Sequence, residues 1–330
     1  MKAATQNSYG APDVLTIVDI DRPAIADDAI LVQVHASPVT QGDRRLRSSD
    51  FPGISWLPGR LMMGLFRPKN PVPGTMFAGR VVAVGGAVTR FTPGDDVFGS
   101  CEGGAHAEYL TVLQDGPVAT MPAGLSYEEA AAVPYGAGTA LTFLGELGQL
   151  QRGQRVLILG ASGGVGRYAV QLAKHLGADV TGVCSGRNFE LVRGLGADHV
   201  IDYSRDDFTA DGQRYDLILD TIGATRFDLC RGSLTDDGRY LSLIVSLRLI
   251  FHMAMTSLFG DKKAILGVAM GNREQIVQVR ELIEAGALRP VIDRRFPLAR
   301  IADAHAYLES VHPSGDVVVS VATPVLLAAK

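Results

Sequence analysis

The stretch LILGASGGVGRYAVQLAKHLGADVTGVCSGR, from Leu157 to Arg187, decides the fold of this chain. It begins with an apolar run, passes through a glycine-rich turn into a segment of helical periodicity, and ends in a second apolar run. One apolar face of the middle segment is formed by Val165, Ala169, Leu172, Ala173 and Leu176. Gly177 follows this face, at the place where a glycine commonly ends a helix. The stretch therefore predicts a strand, a tight turn, a helix and a second strand.

The turn resembles the G-x-G-x-x-G fingerprint that joins a strand to a helix in dinucleotide-binding folds. Ala161 occupies the first fingerprint position, where alanine can serve if φ is negative. Gly163 would let a pyrophosphate approach the backbone, and Gly166 would let the helix pack against the strand. We predict that the turn binds a dinucleotide through Gly160, Ala161, Ser162, Gly163, Gly164, Val165 and Gly166. A glycine turn kept only for packing is the alternative.

The end of the second strand indicates which dinucleotide is bound. Enzymes that use NAD place Asp or Glu there to hold the ribose 2′-hydroxyl. Here the sequence reads Cys184-Ser185-Gly186-Arg187, which offers a hydroxyl and a guanidinium suited to a 2′-phosphate. We therefore predict NADPH as the cofactor, with Ser185 and Arg187 among its ligands. In the alternative interpretation, Arg187 only begins a helix in solvent.

Length and composition limit the class of protein. The 330 residues exceed what one core usually needs, so we expect two domains. The net charge of −4 argues against a nucleic-acid partner, which normally selects a basic surface. The cysteines are far apart in sequence, which argues against disulfides and a cysteine zinc site and favours a cytoplasmic location. The N-terminal residues predict a strand and not a signal peptide.

The pattern of elements changes along the chain. About the first 125 residues alternate short apolar runs with Gly and Pro turns, which predicts β structure. Ser126 and Glu129 form a capping-box pattern, so a helix is expected to begin there. From Arg155 onwards, strands and helices alternate as in βαβ units, which predicts a parallel sheet covered on both faces. The tail returns to a strand, Asp316 to Val321, which we expect to close onto the N-terminal β region.

One apolar run, YLSLIVSLRLIFHMAMTSLF from Tyr240 to Phe259, has the length of a membrane span. A strand ending near Val245, followed by a buried or groove-lining helix, explains this run without placing Arg248 and His252 in lipid. Contact with a membrane surface is the alternative.

Several motifs together resemble the medium-chain dehydrogenase/reductase superfamily, and within it the zinc-independent quinone oxidoreductase-like and enone reductase-like members. They are PGTMFAGRVVAVG (73–85), PGDDVFG (93–99), EEAAAVPYGAGTALTFL (128–144), GASGGVG (160–166) and GADHVIDY (196–203). The resemblance implies an α/β fold with the active site in a cleft between two domains. A GroES-like β-barrel catalytic domain would comprise residues 1–126 and 270–330, and a Rossmann domain residues 127–269. A homodimer formed through AILGVAM (264–270) is also implied.

The resemblance bears on metal binding as well. Zinc-using relatives place a Cys before x-x-Asp and a His-Glu pair after a glycine, where this chain has Thr40-Gln41-Gly42-Asp43 and Gly74-Thr75-Met76. Zinc needs three or four Cys, His or carboxylate donors. His106 by itself is better explained as a structural hydrogen-bonding residue. We therefore predict that the protein binds no metal.

The expected chemistry follows from that prediction. Without a Lewis acid, an ordinary ketone is hard to polarise, whereas a quinone or the C=C of an α,β-unsaturated carbonyl accepts hydride more readily. We expect an NADPH-dependent oxidoreductase that acts on a small apolar substrate of this electron-poor kind. An alcohol or aldehyde dehydrogenase is one alternative. A catalytically weak protein that senses NADPH and binds a partner is another.

The resemblance also suggests individual roles. It places Thr40 and Asp43 on the floor of the cleft, where Thr40 would donate a hydrogen bond to the substrate and Asp43 would orient it; a plain polar turn is the alternative. Tyr135 and Thr139 would lie against the nicotinamide, with Tyr135 as a proton donor or as a core aromatic. Tyr203 would lie by the adenosine phosphate or at a sheet edge.

Two segments depart from the family pattern. The residues between Arg47 and Pro71 form a longer and more apolar segment than we expect, which suggests either an exposed interaction surface or a cover over the cleft. Gly315-Asp316 replaces the Gly-Lys expected before the last strand, so any cofactor contact by that lysine is in doubt.

Overall fold

The computed structural model describes residues 1–51, 53–269, 271–311 and 313–321. In chain order its strands are β1 (Lys2–Thr5), β2 (Thr16–Asp19), β3 (Ala29–Val39), β4 (Met76–Val84), β5 (Asp96–Ser100), β6 (Tyr109–Leu113), β7 (Val118–Thr120), β8 (Arg155–Leu159), β9 (Asp179–Cys184), β10 (His199–Asp202), β11 (Tyr215–Asp220), β12 (Leu234–Ser242), β13 (Lys263–Leu266), β14 (Ile292–Pro297) and β15 (Asp316–Ser320). Its α-helices are α1 (Gln41–Ser48), α2 (Trp56–Met63), α3 (Tyr127–Ala140), α4 (Gly166–His175), α5 (Phe189–Gly194), α6 (Phe227–Cys230), α7 (Leu247–Leu258), α8 (Arg273–Glu284) and α9 (Ile301–Val311).

Strands β8 to β13 form a six-stranded parallel sheet in the order β10-β9-β8-β11-β12-β13. This is the strand order of a Rossmann fold, in which the winding reverses between β8 and β11. The central strands are almost continuous apolar runs, RVLIL in β8 and YDLILD in β11, because helices cover both faces of such a sheet. The predicted parallel sheet is confirmed. Folds of this kind bind ligands outside the carboxyl ends of the strands, at the reversal point.

A second, mostly antiparallel sheet has seven strands, in the order β14-β15-β3-β4-β5-β7 with β6 also paired to β3. The long strand β3 is shared, because it pairs with β4, with β6 and with β15. Strand β15 lies beside β3, so the expected return of the C-terminal tail to the N-terminal β region is confirmed. The strands of the two sheets therefore come from the two sets of residues that the family resemblance implies for two domains, while the boundaries at 126/127 and 269/270 stay a prediction.

Helix α3 lies between the two sheets. It begins with the predicted capping box, in which the Ser126 hydroxyl accepts from the Glu129 N–H and the Glu129 carboxylate accepts from Ser126. The helix contacts β3, β4 and β5 in one sheet and packs against α4 and α8 beside the other. Its small side chains let these neighbours approach closely; the buried ones are Ala130, Ala131, Ala132, Gly136, Ala137, Gly138 and Ala140.

The apolar run that begins at Tyr240 forms the end of β12 and then α7, but the expected burial of its helix is wrong. Leu247, Phe251 and Leu258 are more than half exposed, and Leu249 and Thr256 are the residues of this helix that are buried. Periodicity alone cannot distinguish a helix that covers a groove from one that lies at the surface. In the part of the chain that the structure describes, no helix combines the length and the hydropathy needed to cross a bilayer.

The apolar segment between Arg47 and Pro71 is partly helical, because it contains α2. Its outer side is exposed, with Leu61, Met62 and Phe66 between 59% and 87% accessible. Its far end turns inward, where Tyr9 donates a hydrogen bond to the carbonyl of Gly64 at 2.7 Å. The first of the two predicted possibilities, an exposed surface, therefore describes most of this segment.

Candidate active site

The predicted glycine turn lies directly after β8, at the point where the winding of the parallel sheet reverses. Gly160 has a φ of +75°, so the tight conformation falls on a glycine and the neighbouring Ala161 is not in the left-handed region. A Cβ at Gly166 would lie 2.1 Å from the Gly160 carbonyl oxygen. Both glycines are therefore required by the backbone, and Gly166 is the one of the two that the fingerprint specifies.

The turn presents donors to an anion. Within the described part of the chain, the backbone N–H groups of Ser162, Gly164 and Val165 have no hydrogen-bond acceptor. A Cβ at Gly164 would meet nothing within 4 Å, so the space beside the turn is open. Free N–H groups at the start of α4, together with the positive end of its dipole, suit a phosphate. The residues of the turn therefore fit a dinucleotide pyrophosphate.

Ser185 follows β9 and is half-buried, and Arg187 is exposed in the short 3-10 turn Gly186–Asn188. Asn188, which no sequence pattern singled out, donates through its side-chain Nδ2 to the hydroxyl oxygens of Ser162 and Ser185 at 3.0 and 3.3 Å. The glycine turn and the end of β9 are thus tied together. The sequence pattern does not predict this role, because an Asn directly before a helix normally indicates an N-cap.

One carboxylate lies beside this segment although β9 itself ends without one. Asp202, at the end of β10, is close enough that a Cβ at Gly186 would lie 2.7 Å from its Oδ2. Hydrogen bonds from the hydroxyl and N–H of Ser204 lower the pKa of Asp202, so it is ionised at neutral pH. The prediction that no carboxylate ends β9 is therefore correct. It missed the carboxylate of Asp202, which the neighbouring strand β10 brings beside this segment. Tyr203 follows Asp202 and is 66% exposed at this edge strand of the sheet.

The predicted floor residues Thr40 and Asp43 meet in a capping box at the start of α1. The Thr40 hydroxyl donates to Oδ2 of Asp43 at 2.6 Å and accepts from the Asp43 N–H at 3.1 Å. The hydroxyl of Thr75 donates to the other oxygen, Oδ1, at 2.9 Å. The two positions at which relatives carry zinc ligands are therefore both hydroxyls that converge on one carboxylate. The Thr40 hydroxyl would have to break its hydrogen bond to Asp43 before it could donate one to a substrate. It keeps one lone pair with which to accept a hydrogen bond.

Tyr135 of α3 lies against this floor. A Cβ at Gly42 would be 3.2 Å from Cε2 of Tyr135 and 3.3 Å from the Thr40 hydroxyl oxygen, so both side chains lie close around Gly42. Burial raises the pKa of the Tyr135 phenol, while the nearby Arg45 charge lowers it to a smaller extent. The phenol therefore holds its proton at neutral pH. One turn further along, the hydroxyl of Thr139 donates to the Tyr135 carbonyl at 2.7 Å.

The floor and the turn are adjacent. A Cβ at Gly136, the residue after Tyr135, would lie 2.3 Å from the Gly164 carbonyl oxygen. Helix α3 thus packs directly on the glycine turn, at the residue next to Tyr135. The structure therefore brings together Thr40, Asp43 and Tyr135 with the predicted cofactor turn, while Tyr203 and Arg187 lie at its outer end.

His106 is fully buried, and one of its ring nitrogens, Nε2, lies 3.2 Å from the Pro38 carbonyl oxygen. Burial lowers the pKa of its imidazole, and the charge of Asp43 opposes that shift. A neutral, enclosed ring of this kind agrees with the structural role predicted for it.

Asp316, which stands where the family pattern has lysine, forms an ion pair across the two sheets. Its carboxylate accepts from Arg167 at 2.6 Å and from the Tyr168 hydroxyl at 3.0 Å, both in the first turn of α4. Arg167 also donates to the Ser162 carbonyl at 2.9 Å, and its side chain is only 2% exposed. The start of β15 is therefore anchored beside the glycine turn. No sequence signal identified Arg167 as the partner of Asp316.

Two family models match the chain, the alcohol dehydrogenase GroES-like domain over residues 26–136 and the zinc-binding dehydrogenase over residues 195–319. The chain is 31% identical to the chloroplastic quinone-oxidoreductase QR1 of Triphysaria versicolor, over 97% of this chain and 98% of that protein. The chain belongs to the medium-chain dehydrogenase/reductase superfamily. Within this superfamily it lies in the quinone and enone reductase-like branch, and it is an oxidoreductase.

Two further comparisons support the placement of this medium-chain dehydrogenase/reductase. The chain is 31% identical to the chloroplastic NADPH-dependent alkenal/one oxidoreductase of Arabidopsis thaliana, over 97% of this chain and 79% of that protein. The structure of the quinone oxidoreductase from Coxiella burnetii superposes with a TM-score of 0.84 at 28% identity, covering 98% of this chain and 99% of that one. The predicted combination of a GroES-like domain and a Rossmann domain is confirmed.

The name of one family model implies zinc, so the fit of the site to zinc matters. Thr40 and Thr75 supply hydroxyls, and Asp43 supplies the carboxylate on which they converge. Among the residues with described positions, no group of three or more His, Cys, Asp or Glu side chains could hold a metal ion. Zinc sites use three or four such donors. The residues at this floor do not fit a zinc site.

Proposed function

We propose that the protein is an NADPH-dependent, zinc-independent reductase that transfers hydride to a quinone or to the C=C of an α,β-unsaturated carbonyl. The observation that carries the proposal is the contact between Tyr135 and the Thr40–Asp43 turn, beside the helix that packs on the glycine turn. This arrangement offers a protonated phenol where a metal-using relative would offer a Lewis acid.

The residues of the floor suit a substrate whose charge develops on oxygen. When hydride adds to the carbon end of a conjugated system, the negative charge moves to the carbonyl oxygen, where a hydrogen bond stabilises it. The phenol of Tyr135 keeps its proton because burial raises its pKa, so it is able to donate to that oxygen. Asp43 holds Thr40 in place and, being almost fully buried, keeps the floor rigid.

The choice of cofactor rests on the other end of the site. The free N–H groups of the turn would hold the pyrophosphate, and Ser185 and Arg187 would hold the 2′-phosphate. A bound NADPH would supply the hydride. The name of the Arabidopsis relative, an NADPH-dependent alkenal/one oxidoreductase, supports both the cofactor and the substrate class.

The test is anaerobic oxidation of NADPH by the purified, metal-analysed protein, offered alkenals, cyclic enones, quinones and simple aldehydes, with the products identified. Saturated carbonyl products from enones, or hydroquinones from quinones, would support the proposal and select its branch. Turnover confined to simple aldehydes together with stoichiometric zinc would instead establish the alcohol dehydrogenase alternative.

A second candidate, a protein that senses NADPH and binds a partner, is favoured by the exposed apolar side chains of α2 and α7. Leu61, Met62, Phe251 and Leu258 are each at least 59% accessible, and patches of this kind often mark interaction surfaces. NADPH binding without turnover on any acceptor of the panel would favour this candidate over the reductase.

A further inference from the structure

Asn188 joins three serines from three separate segments. Its Nδ2 donates to Ser162 in the glycine turn and to Ser185 after β9, and its Oδ1 accepts from Ser314 at 2.9 Å. Asn188 is only 7% exposed. It directly precedes α5, yet its side chain makes no capping hydrogen bond to that helix. The amide is therefore committed to the serines and not to the helix.

The direction of these hydrogen bonds determines what the serines offer to a ligand. A serine hydroxyl has one proton to donate and two lone pairs with which to accept. Ser162 and Ser185 accept from the amide, so both keep their protons for another acceptor. Ser314 donates to Oδ1 and so holds the amide in place beside the other two serines.

A phosphate monoester matches such a pair of donors, because it is an anion with acceptor oxygens. A ribose 2′-hydroxyl needs an acceptor, which NAD enzymes supply as Asp or Glu. The neighbouring Asp202 stands at the end of β10 and not of β9, the strand from which NAD enzymes supply that acceptor, and its Oδ1 accepts from the hydroxyl and the N–H of Ser204.

We propose that Asn188 is a specificity-determining positioning residue that turns the hydroxyls of Ser162 and Ser185 towards the 2′-phosphate of NADPH. This inference rests on the proposed function. Ser314 lies in the segment that leads to β15 of the seven-stranded sheet. A residue beside that sheet therefore contributes to the preference of a cofactor site that is built on the parallel sheet.

The test compares dissociation constants of NADPH and NADH for the full-length protein by isothermal titration calorimetry. Asn188→Asp keeps the shape of the side chain but presents two acceptors, so the serines donate to it and lose their free protons. We expect NADPH to bind about 30-fold more weakly or worse, and NADH to change by less than about threefold. Asn272→Asp is the matched control, since Asn272 precedes α8 and accepts from the Gln275 N–H, a role that Asp also fulfils. It should leave both constants within about twofold.

Ser314→Ala provides a second variant that adds no charge, so repulsion cannot explain its effect. Loss of the hydrogen bond that holds the amide beside Ser162 and Ser185 should weaken NADPH binding about 3- to 10-fold and leave NADH binding unchanged. Melting temperatures show whether each variant is folded, and Ser314→Ala decides the matter if Asn188→Asp is not.

Two outcomes would overturn the role of Asn188, namely equal losses for both cofactors and an undiminished preference for NADPH. If the wild-type protein itself binds both cofactors equally, the NADPH assignment of the proposed function fails together with this inference. If the wild type prefers NADPH and the variants retain that preference, only the role of Asn188 fails.

Discussion

At the scale of single residues, Asp43 organises the floor of the site. Its carboxylate accepts from the hydroxyls of Thr40 and Thr75 and from the Thr40 N–H, and it is 1% exposed. A buried carboxylate is stable only when its lone pairs are occupied in this way. Asp43 thus acts by positioning, whereas Tyr135 is the floor residue with a proton that the described hydrogen bonds do not engage.

Replacing Tyr135 by Phe tests that distinction. We expect kcat to fall about 100-fold or more, because a positioned proton donor contributes at least this much, while the dissociation constant of NADPH stays unchanged. The measurement is steady-state kinetics with the best acceptor of the panel. Tyr127→Phe is the control, since Tyr127 lies on the same helix but donates to Asp96. A loss below about threefold for Tyr135→Phe would assign the ring to packing.

Replacing Arg187 by Ala tests the charge at the outer end of the site. We expect NADPH to bind about 10- to 100-fold more weakly, because a hydrogen bond between two charged groups is lost, and NADH to be little affected. Fluorescence titration with both cofactors measures the difference. Arg193→Ala is the control, since Arg193 lies on the following helix α5 and pairs with Glu190, and it should change neither constant. Equal losses of both cofactors in Arg187→Ala would contradict the 2′-phosphate assignment.

At the scale of elements, α9 carries a buried histidine that packs edge-on to a second one. His305 and His106 are both fully buried, with ring centroids 5.9 Å apart. Burial lowers the pKa of both imidazoles, that of His305 well below its usual value, and the charges of His106 and Arg47 act on His305 in the same direction. Neither ring nitrogen of His305 has a hydrogen-bond partner among the described residues.

This pair predicts a loss of stability in mild acid. Above about pH 6.5 both rings are neutral in the folded and unfolded states and contribute nothing. Below it, the unfolded chain takes up protons that the folded protein excludes, so the free energy of unfolding falls by about 1.4 kcal/mol per pH unit for each histidine. This loss continues down to the lowered pKa of the folded state.

Urea unfolding between pH 8 and pH 5 measures the slope. His305→Leu, which fills a similar volume, should remove about half of the contribution of the pair. His175→Gln, a change of an exposed histidine, is the control. A slope in His305→Leu equal to that of the wild type would show that His305 does not take part.

At the scale of the whole molecule, the two sheets are joined beside the glycine turn by the segment that leads into β15. Asp316 pairs with Arg167 and Tyr168 of α4, and Ser314 donates to Asn188. Helix α3 makes the other connection, with Gly136 against the turn. The glycine turn therefore lies between two connections that join one sheet to the other.

Asp316→Ala should lower the free energy of unfolding by about 3–5 kcal/mol, because it leaves the buried guanidinium of Arg167 without its carboxylate. Denaturant unfolding at neutral pH measures this. Asp115→Ala is the matched control, since Asp115 pairs with Arg90 at the surface and should cost less than about 1 kcal/mol. Similar small losses in both variants would show that the interdomain pair does not stabilise the fold.

The sequence by itself determined the elements and the cofactor turn, because these depend on short spacings. The period of apolar residues predicts β8, α4 and β9, and a left-handed turn needs glycine at Gly160. The capping box at Ser126 predicts where α3 begins for the same local reason. Motifs of this length also sufficed to recognise the superfamily.

Only the tertiary structure decided which distant side chains meet. Thr75 reaches Asp43 across 32 residues, Ser314 reaches Asn188 across 126, and Asp316 reaches Arg167 across 149. It also decided that α7 is exposed although its sequence is apolar. Contacts of this kind depend on how the two sheets pack against each other. That arrangement is determined by the packing of many residues together, so no local pattern in one sequence predicts it.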